Sequence, residues 1–159
     1  MDTLIVYGSK HGCTEKCANL LKEKLDGNVH VVNLKDSNEI DLSKYDKVII
    51  GGSIYVGKIQ KEVSKFSSEN LETLKEKQVG LFICGMQSEE AIEKELNENF
   101  PKELLKTAKA KGYFGGEFII DKLGFMEKQI VKKVAKVNLD KSNILNDNIY
   151  KFAEGMNNI

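Results

Sequence analysis

The sequence predicts an α/β protein: a doubly wound, five-stranded parallel sheet with helices on both faces. Three observations carry this. Five short runs rich in β-branched or aromatic residues recur along the chain, several of them apolar at consecutive rather than alternate positions, which suits strands covered on both sides. Segments of helical spacing separate the runs, so strand and helix alternate. Such alternation closes as an open parallel sheet with right-handed crossovers.

The strands are expected at "TLIVYG", "VHVVNL", "DKVIIGG", "QVGLFICG" and "KGYFGGEFII". Thr14, Cys17, Ala18, Leu21 and Leu25 share one face of a helix after the first strand, and Ile59, Val63 and Phe66 do so after the third. Ala91, Glu95, Leu96 and Phe100 mark a helix after the fourth. Two last helices are expected over roughly Leu123 to Val137 and Ile144 to Met156. Ser67 to Gln78 either finishes a helix or forms a turn-rich connection, and Pro101 restarts a helix at its first position.

A chain of 159 residues with 41% hydrophobic content supports one core and hence a single domain over residues 1–159. Twenty-four basic and 24 acidic residues cancel to a formal net charge of +0, which gives no overall attraction for nucleic acid. With neither a basic segment leading into an apolar leader nor a run of about 18 apolar residues, a cytoplasmic protein without a membrane span is expected. Cys13, Cys17 and Cys84 form no disulfide framework and fit a reducing compartment as free thiols.

Ligands of such sheets bind beyond the carboxyl ends of the strands, where strand order reverses. The loop Ser9-Lys10-His11-Gly12-Cys13-Thr14 lies there, with hydroxyls at both ends and glycines where backbone must approach a neighbour. The helix that follows offers unpaired N–H groups and its positive dipole end, a ready site for phosphate. The plainer alternative is a strand-to-helix turn capped by Thr14. The loop lacks the Gly-Lys-Ser/Thr ending of a P-loop and the three-glycine spacing of the dinucleotide fingerprint.

Ser9 to Glu15 resembles the flavodoxin phosphate loop, Ser/Thr-x-Thr-Gly-x-Thr, with His11 in place of the middle threonine. The resemblance spans nearly the whole chain. It implies the flavodoxin-like strand order 2-1-3-4-5, FMN as cofactor, and Ser9, Lys10, His11, Gly12, Cys13 and Thr14 around the phosphate. The stretch Gly51-Gly52-Ser53-Ile54-Tyr55-Val56-Gly57-Lys58 is similar to the loop that wraps the flavin ring, and most similar to the branch containing menaquinone-dependent protoporphyrinogen dehydrogenase. A flavin ring needs an apolar or aromatic floor, which Ile54 or Tyr55 supplies, and backbone groups at its polar edge, which Ser53 and Val56 to Lys58 supply. The resemblance also implies that the Gly57 peptide reorients when the flavin is reduced. A hairpin-like turn with a packing tyrosine is the alternative for this stretch. Cys84, Gly85, Met86 and Gln87 are expected along the other edge of the ring, although no aromatic residue stands there to stack on it, and Met86 equally suits a place in the core.

Other chemistries fit less well. His11, Cys13 and Cys17 lack the spacing of a metal finger and a second Cys/His pair, so no metal is expected. Cys13 at a helix N-terminus invites nucleophilic catalysis, but the other histidine, His30, lies within a predicted strand. Lys122, Lys128, Lys132, Lys133 and Lys136 accompany apolar residues at helical spacing; this is a solvated face, with peripheral contact to an anionic membrane or a carboxylated porphyrin left open. The expected function is therefore electron transfer through bound FMN, with a redox protein or a small molecule as partner. The alternatives are a protoporphyrinogen dehydrogenase-like FMN enzyme and a non-redox module binding a phosphate ligand. Electron-carrier flavodoxins are acidic where this chain is balanced, and the additional segment that the protoporphyrinogen enzymes carry near the last strand is not found between Gly85 and Ile120.

Overall fold

The computed structural model describes residues 2–10, 12–37, 39–85, 88–118 and 141–159. The consecutive apolar runs form β1 (Asp2–Tyr7), β2 (Asn28–Asn33), β3 (Lys47–Ser53) and β4 (Gln78–Cys84), joined at one edge by β5 (Ala110–Tyr113). All pairings among them are parallel, in the order β2-β1-β3-β4-β5 that the flavodoxin resemblance implies.

Side chains alternate across a strand, so each apolar run feeds two cores. Leu4, Val6, Val48, Ile50, Leu81 and Ile83 pack with Val63, Phe66, Leu74, Leu96 and Leu104. Those partners come from α2 (Lys61–Glu69), α3 (Leu71–Leu74), α4 (Glu89–Asn99) and α5 (Lys102–Thr107). Ile5, Tyr7, Ile49, Phe82 and Cys84 face the other way, onto Cys17, Ala18 and Leu21 of α1 (Cys13–Lys24) and Ile149, Phe152 and Met156 of α6 (Asn146–Asn157). On this second face Phe114 stacks on Phe82 at 4.6 Å between centroids, and Phe152 meets both edge-on. The Phe82 ring occupies the space above Gly51: a Cβ there would lie 2.0 Å from Phe82 Cζ. The first glycine of "VIIGGS" is thus set by an aromatic neighbour on β4.

The fifth strand departs from expectation. The run from Lys111 to Ile120 is not one strand: Phe114 turns into the core, fully buried, and Gly115 takes φ 81. Beyond that kink β6 (Gly115–Phe118) leaves the main sheet and pairs antiparallel with β7 (Lys141–Ile144). A continuous apolar and glycine-rich run conceals such a bend, and "KSNI" has no strand character of its own without its partner. Ile144 consequently ends a strand rather than opening a helix, and α6 starts at Asn146. The helix expected from Leu123 to Val137 lies outside the described residues. Ser67 to Gln78 comprises the end of α2 and the single-turn α3, while Pro101 immediately precedes α5. Among the described residues no helix is long and apolar enough to cross a membrane.

Candidate functional site

Tyr7, Gly51 and Phe82 stand side by side in register, so the loops leaving β1, β3 and β4 emerge together at the carboxyl edge of the sheet. The chain crosses to opposite faces after β1 and after β3, which makes this the switch point of the topology.

The first loop is anchored by its backbone. Gly8 N–H donates to Gly51 O at 3.1 Å, and a Cβ on Gly8 would meet Val63 Cγ2 at 2.7 Å. Ser9 Oγ accepts from Gly12 N at 2.9 Å, and Gly12, at φ 90, precedes the first turn of α1. That left-handed backbone is one glycine adopts without strain. Thr14 does not cap the helix: Gly12 holds the cap position, with no side-chain cap bond. Instead Thr14 is fully buried, and its Oγ1 has no hydrogen-bond partner. A buried hydroxyl left unpaired costs about 1–3 kcal/mol. It lies in the first turn of α1, where N–H groups have no acceptor within the helix. His11 lies outside the described residues.

The second loop is braced by its own side chains. Tyr55 and Lys58 exchange backbone bonds, Tyr55 N to Lys58 O at 2.9 Å and Lys58 N to Tyr55 O at 3.1 Å. Between them Val56 has φ 51 and Gly57 φ 78. Positive φ at both central residues defines a type I′ hairpin turn. Val56, β-branched and 83% exposed, is strained without packing to offset it. Ile54 is buried and donates from its N–H to Cys84 O at 2.8 Å. Gln60 grips Ser53 twice, accepting from its N–H at 3.0 Å and donating to its Oγ at 2.6 Å. Asn99, on α4, donates to Gly57 O at 3.2 Å and accepts from Ile59 N at 2.9 Å. Glu95 brings a buried, unpartnered Oε2 to 3.9 Å from where a Gly57 Cβ would stand.

The two loops touch. Lys10 Nζ sits 3.4 Å from the centroid of the Tyr55 ring, which is 40% exposed.

After β4, Gly85 N–H donates to Gly115 O at 2.8 Å, and the Tyr113 hydroxyl donates to Gly85 O. Met86 and Gln87 lie outside the described residues. Cys84 presents only backbone to this edge; its side chain is buried on the α1 face. Hydrogen bonding with Cys13 and Cys17, reinforced by burial, pushes the Cys84 thiol well above its ordinary range. Burial also raises the Tyr7 phenol, aided by Glu15. The sequence does not single out Gln60, Asn99 or Tyr113, and Glu95 stands out in it only as a marker of α4. Gln60 follows the loop at a polar position just before α2, but nothing in its spacing marks a brace, and Asn99 reads as an ordinary surface residue of α4.

A family model described as a flavodoxin domain matches residues 4–144. Comparison with curated protein sequences returns no match. Among solved structures, a flavodoxin from Streptococcus pneumonia is similar with a TM-score of 0.61 and 21% identity, the match covering 98% of this chain and 97% of that one. A Fusobacterium nucleatum flavodoxin, bound to flavin mononucleotide, matches with a TM-score of 0.54 and 14% identity, over 98% of this chain and 96% of that one. Rubredoxin oxygen:oxidoreductase from Desulfovibrio gigas matches 96% of this chain with a TM-score of 0.55 and 17% identity, and this chain spans 36% of that protein's length. These likenesses show a shared fold.

Proposed function

This chain belongs to the flavodoxin family, and from that premise we propose that it binds FMN at the loops after β1, β3 and β4 and transfers electrons through the bound flavin. The observation that carries the reading is Thr14: a buried hydroxyl without a partner in the opening turn of a helix is the donor an anionic phosphate would satisfy. Hydrogen bonds to a charged acceptor contribute about 1.5–3 kcal/mol each, so Thr14, Ser9 and the first amides of α1 suffice to anchor the phosphate of a small ligand.

FMN, when bound, supplies one- and two-electron redox chemistry. The protein's part is to hold and orient it. Ser9, Lys10, His11, Gly12, Cys13 and Thr14 form the phosphate side. Ser53 to Lys58 form the ring side: Tyr55 or Ile54 as apolar floor, and backbone of the Val56–Gly57 turn as polar groups whose orientation Asn99 sets. Cys84 to Gln87 form the far edge. The partner is a redox protein or a small molecule, and the balanced charge gives no steering toward nucleic acid.

A second reading, an FMN enzyme of the protoporphyrinogen dehydrogenase type, draws support from β6 and β7. That antiparallel pair follows the last strand of the main sheet and flanks residues 119–140, and its first residue, Gly115, bonds directly to Gly85. The sequence by itself offers no such additional segment between Gly85 and Ile120; the fold sets β6, from that interval, against β7 beyond it, and this reading takes the pair as the counterpart of the segment that the enzyme branch carries.

The test is the absorption spectrum of the purified protein, then anaerobic stepwise reduction with FMN present. Flavin bands and a melting temperature that rises with added FMN support the proposal; a colourless protein whose melting temperature ignores FMN refutes it and leaves a non-redox module. Reduction by a reductase with slow reoxidation marks a carrier, and turnover of a reduced porphyrin with a quinone marks the enzyme.

A further inference from the structure

The spacing of His11, Cys13 and Cys17 and the lack of a second Cys/His pair argue against a metal finger, but the fold adds a third sulfur. Cys13 and Cys17 lie one turn apart on the face of α1 that packs against the sheet, and Cys84 projects from the end of β4 onto the same face. Their three Sγ atoms all lie within 4.8 Å of one another. With metal–sulfur bonds of about 2.3 Å, three thiolates around one planar centre stand about 4.0 Å apart. The cluster is therefore less than about 1 Å from ligand spacing.

We propose that Cys13, Cys17 and Cys84 form a three-coordinate site for a soft monovalent cation of the Cu(I) class. Three features select that class. The donors are all thiol sulfur, which favours soft metals over magnesium or calcium. Among the described residues no histidine or carboxylate joins the triad to complete the four-coordinate shell that structural zinc prefers. Cys17 and Cys84 are fully buried and Cys13 is 9% exposed, which leaves little access for water as a further ligand. Binding replaces S–H protons, which pass to solvent, with no change of oxidation state. Cys13 is the first residue of α1, so the positive end of the helix dipole lies against the anionic centre that results. The flavin site and the thiol site share Cys13 but use different parts of it, backbone on one side and sulfur on the other.

The experiment is anaerobic titration of the reduced protein with Cu(I) in competition with the chromogenic chelator bicinchoninate, followed by X-ray absorption at the copper edge. One equivalent withdrawn from the chelator, with three sulfur neighbours at the ion, is expected. Cys84→Ala should weaken binding by more than the about 10–100-fold that loss of even an outer-shell partner costs. His30→Ala, at the exposed hydrogen bond to Tyr45, should leave it unchanged. No copper withdrawn, a fourth neighbour, or nitrogen and oxygen neighbours would overturn the proposal, as would full affinity in a folded Cys84→Ala protein. Should that variant fail to fold, the absorption edge of the unaltered protein decides alone. None of these readouts depends on flavin, so the metal proposal and the FMN reading fail independently.

Discussion

The loop after β1 and the loop after β3 lie at the same edge of the sheet, yet they are built on opposite principles. The first leaves a need open: its backbone is tied down by Gly8 and Gly12, while the Thr14 hydroxyl is buried with nothing to bond. In the second, both Ser53 groups are engaged by Gln60 and the Gly57 carbonyl by Asn99, and the cost appears instead as backbone strain at Val56. An unmet donor is a means of binding, since a ligand removes the penalty. A strained turn held by side-chain braces is a means of positioning, since it keeps one conformation ready whether or not a ligand is present.

The largest expected effect separates the two principles by sign. Thr14→Val removes the hydroxyl at nearly constant shape. FMN affinity should fall about 10–150-fold, the equivalent of one charge-assisted hydrogen bond of about 1.5–3 kcal/mol. The ligand-free protein should hold its stability or gain, because an unpaired buried hydroxyl has gone. Isothermal titration with FMN and urea denaturation of the ligand-free protein read the two quantities. A variant that loses both would make Thr14 a structural residue and abolish the distinction.

Gln60→Ala should show the reverse pattern. It strips two bonds from Ser53 and leaves a part-buried N–H unpaired, so the ligand-free protein should lose about 1–3 kcal/mol. Affinity for FMN should fall less than in Thr14→Val. The same denaturation and titration measure it, and an FMN loss larger than the stability loss would mean that Gln60 contacts the ligand.

The turn itself is tested next. Val56→Asn should stabilise the protein by about 1 kcal/mol, because asparagine tolerates positive φ and the valine side chain packs against little. Gly57→Ala should cost about 1–2 kcal/mol at φ 78. Thermal melts of both variants check the opposite signs, and matching signs would remove backbone strain as the explanation.

The contrast also explains what could be read from the sequence. The strands and the position of both loops follow from local patterns, consecutive apolar residues in β1, β3 and β4, glycines at their ends, and a helical stripe after each, whereas the strand order came from the resemblance of the two loops to those of flavodoxins. Ser9, Gly12 and Thr14 are legible as a candidate anion site because a helix start draws on residues adjacent in the chain. The braces are not. Asn99 reaches Gly57 across 42 positions and Tyr113 reaches Gly85 across 28, and no periodicity encodes such pairings. The split at Phe114 was hidden for the same reason, since a phenylalanine that stacks on Phe82 looks in sequence like one more strand residue. Cys84 joins Cys13 and Cys17 only once β4 lies against α1.

The smallest effect tests whether the loops act together. Lys10 belongs to the open loop and Tyr55 to the braced one, and the ammonium lies over the ring at 3.4 Å from its centroid. At a partly exposed site such a cation–π contact contributes about 0.5–1 kcal/mol. A double-mutant cycle with Lys10→Gln and Tyr55→Leu, read by denaturation, should return that coupling in the ligand-free protein. A flavin ring stacked on this face of Tyr55 must displace the ammonium, so at saturating FMN the coupling should fall close to zero. Coupling that persists would place the flavin elsewhere, leave Ile54 as its floor, and reduce the contact between the loops to a latch of the ligand-free protein.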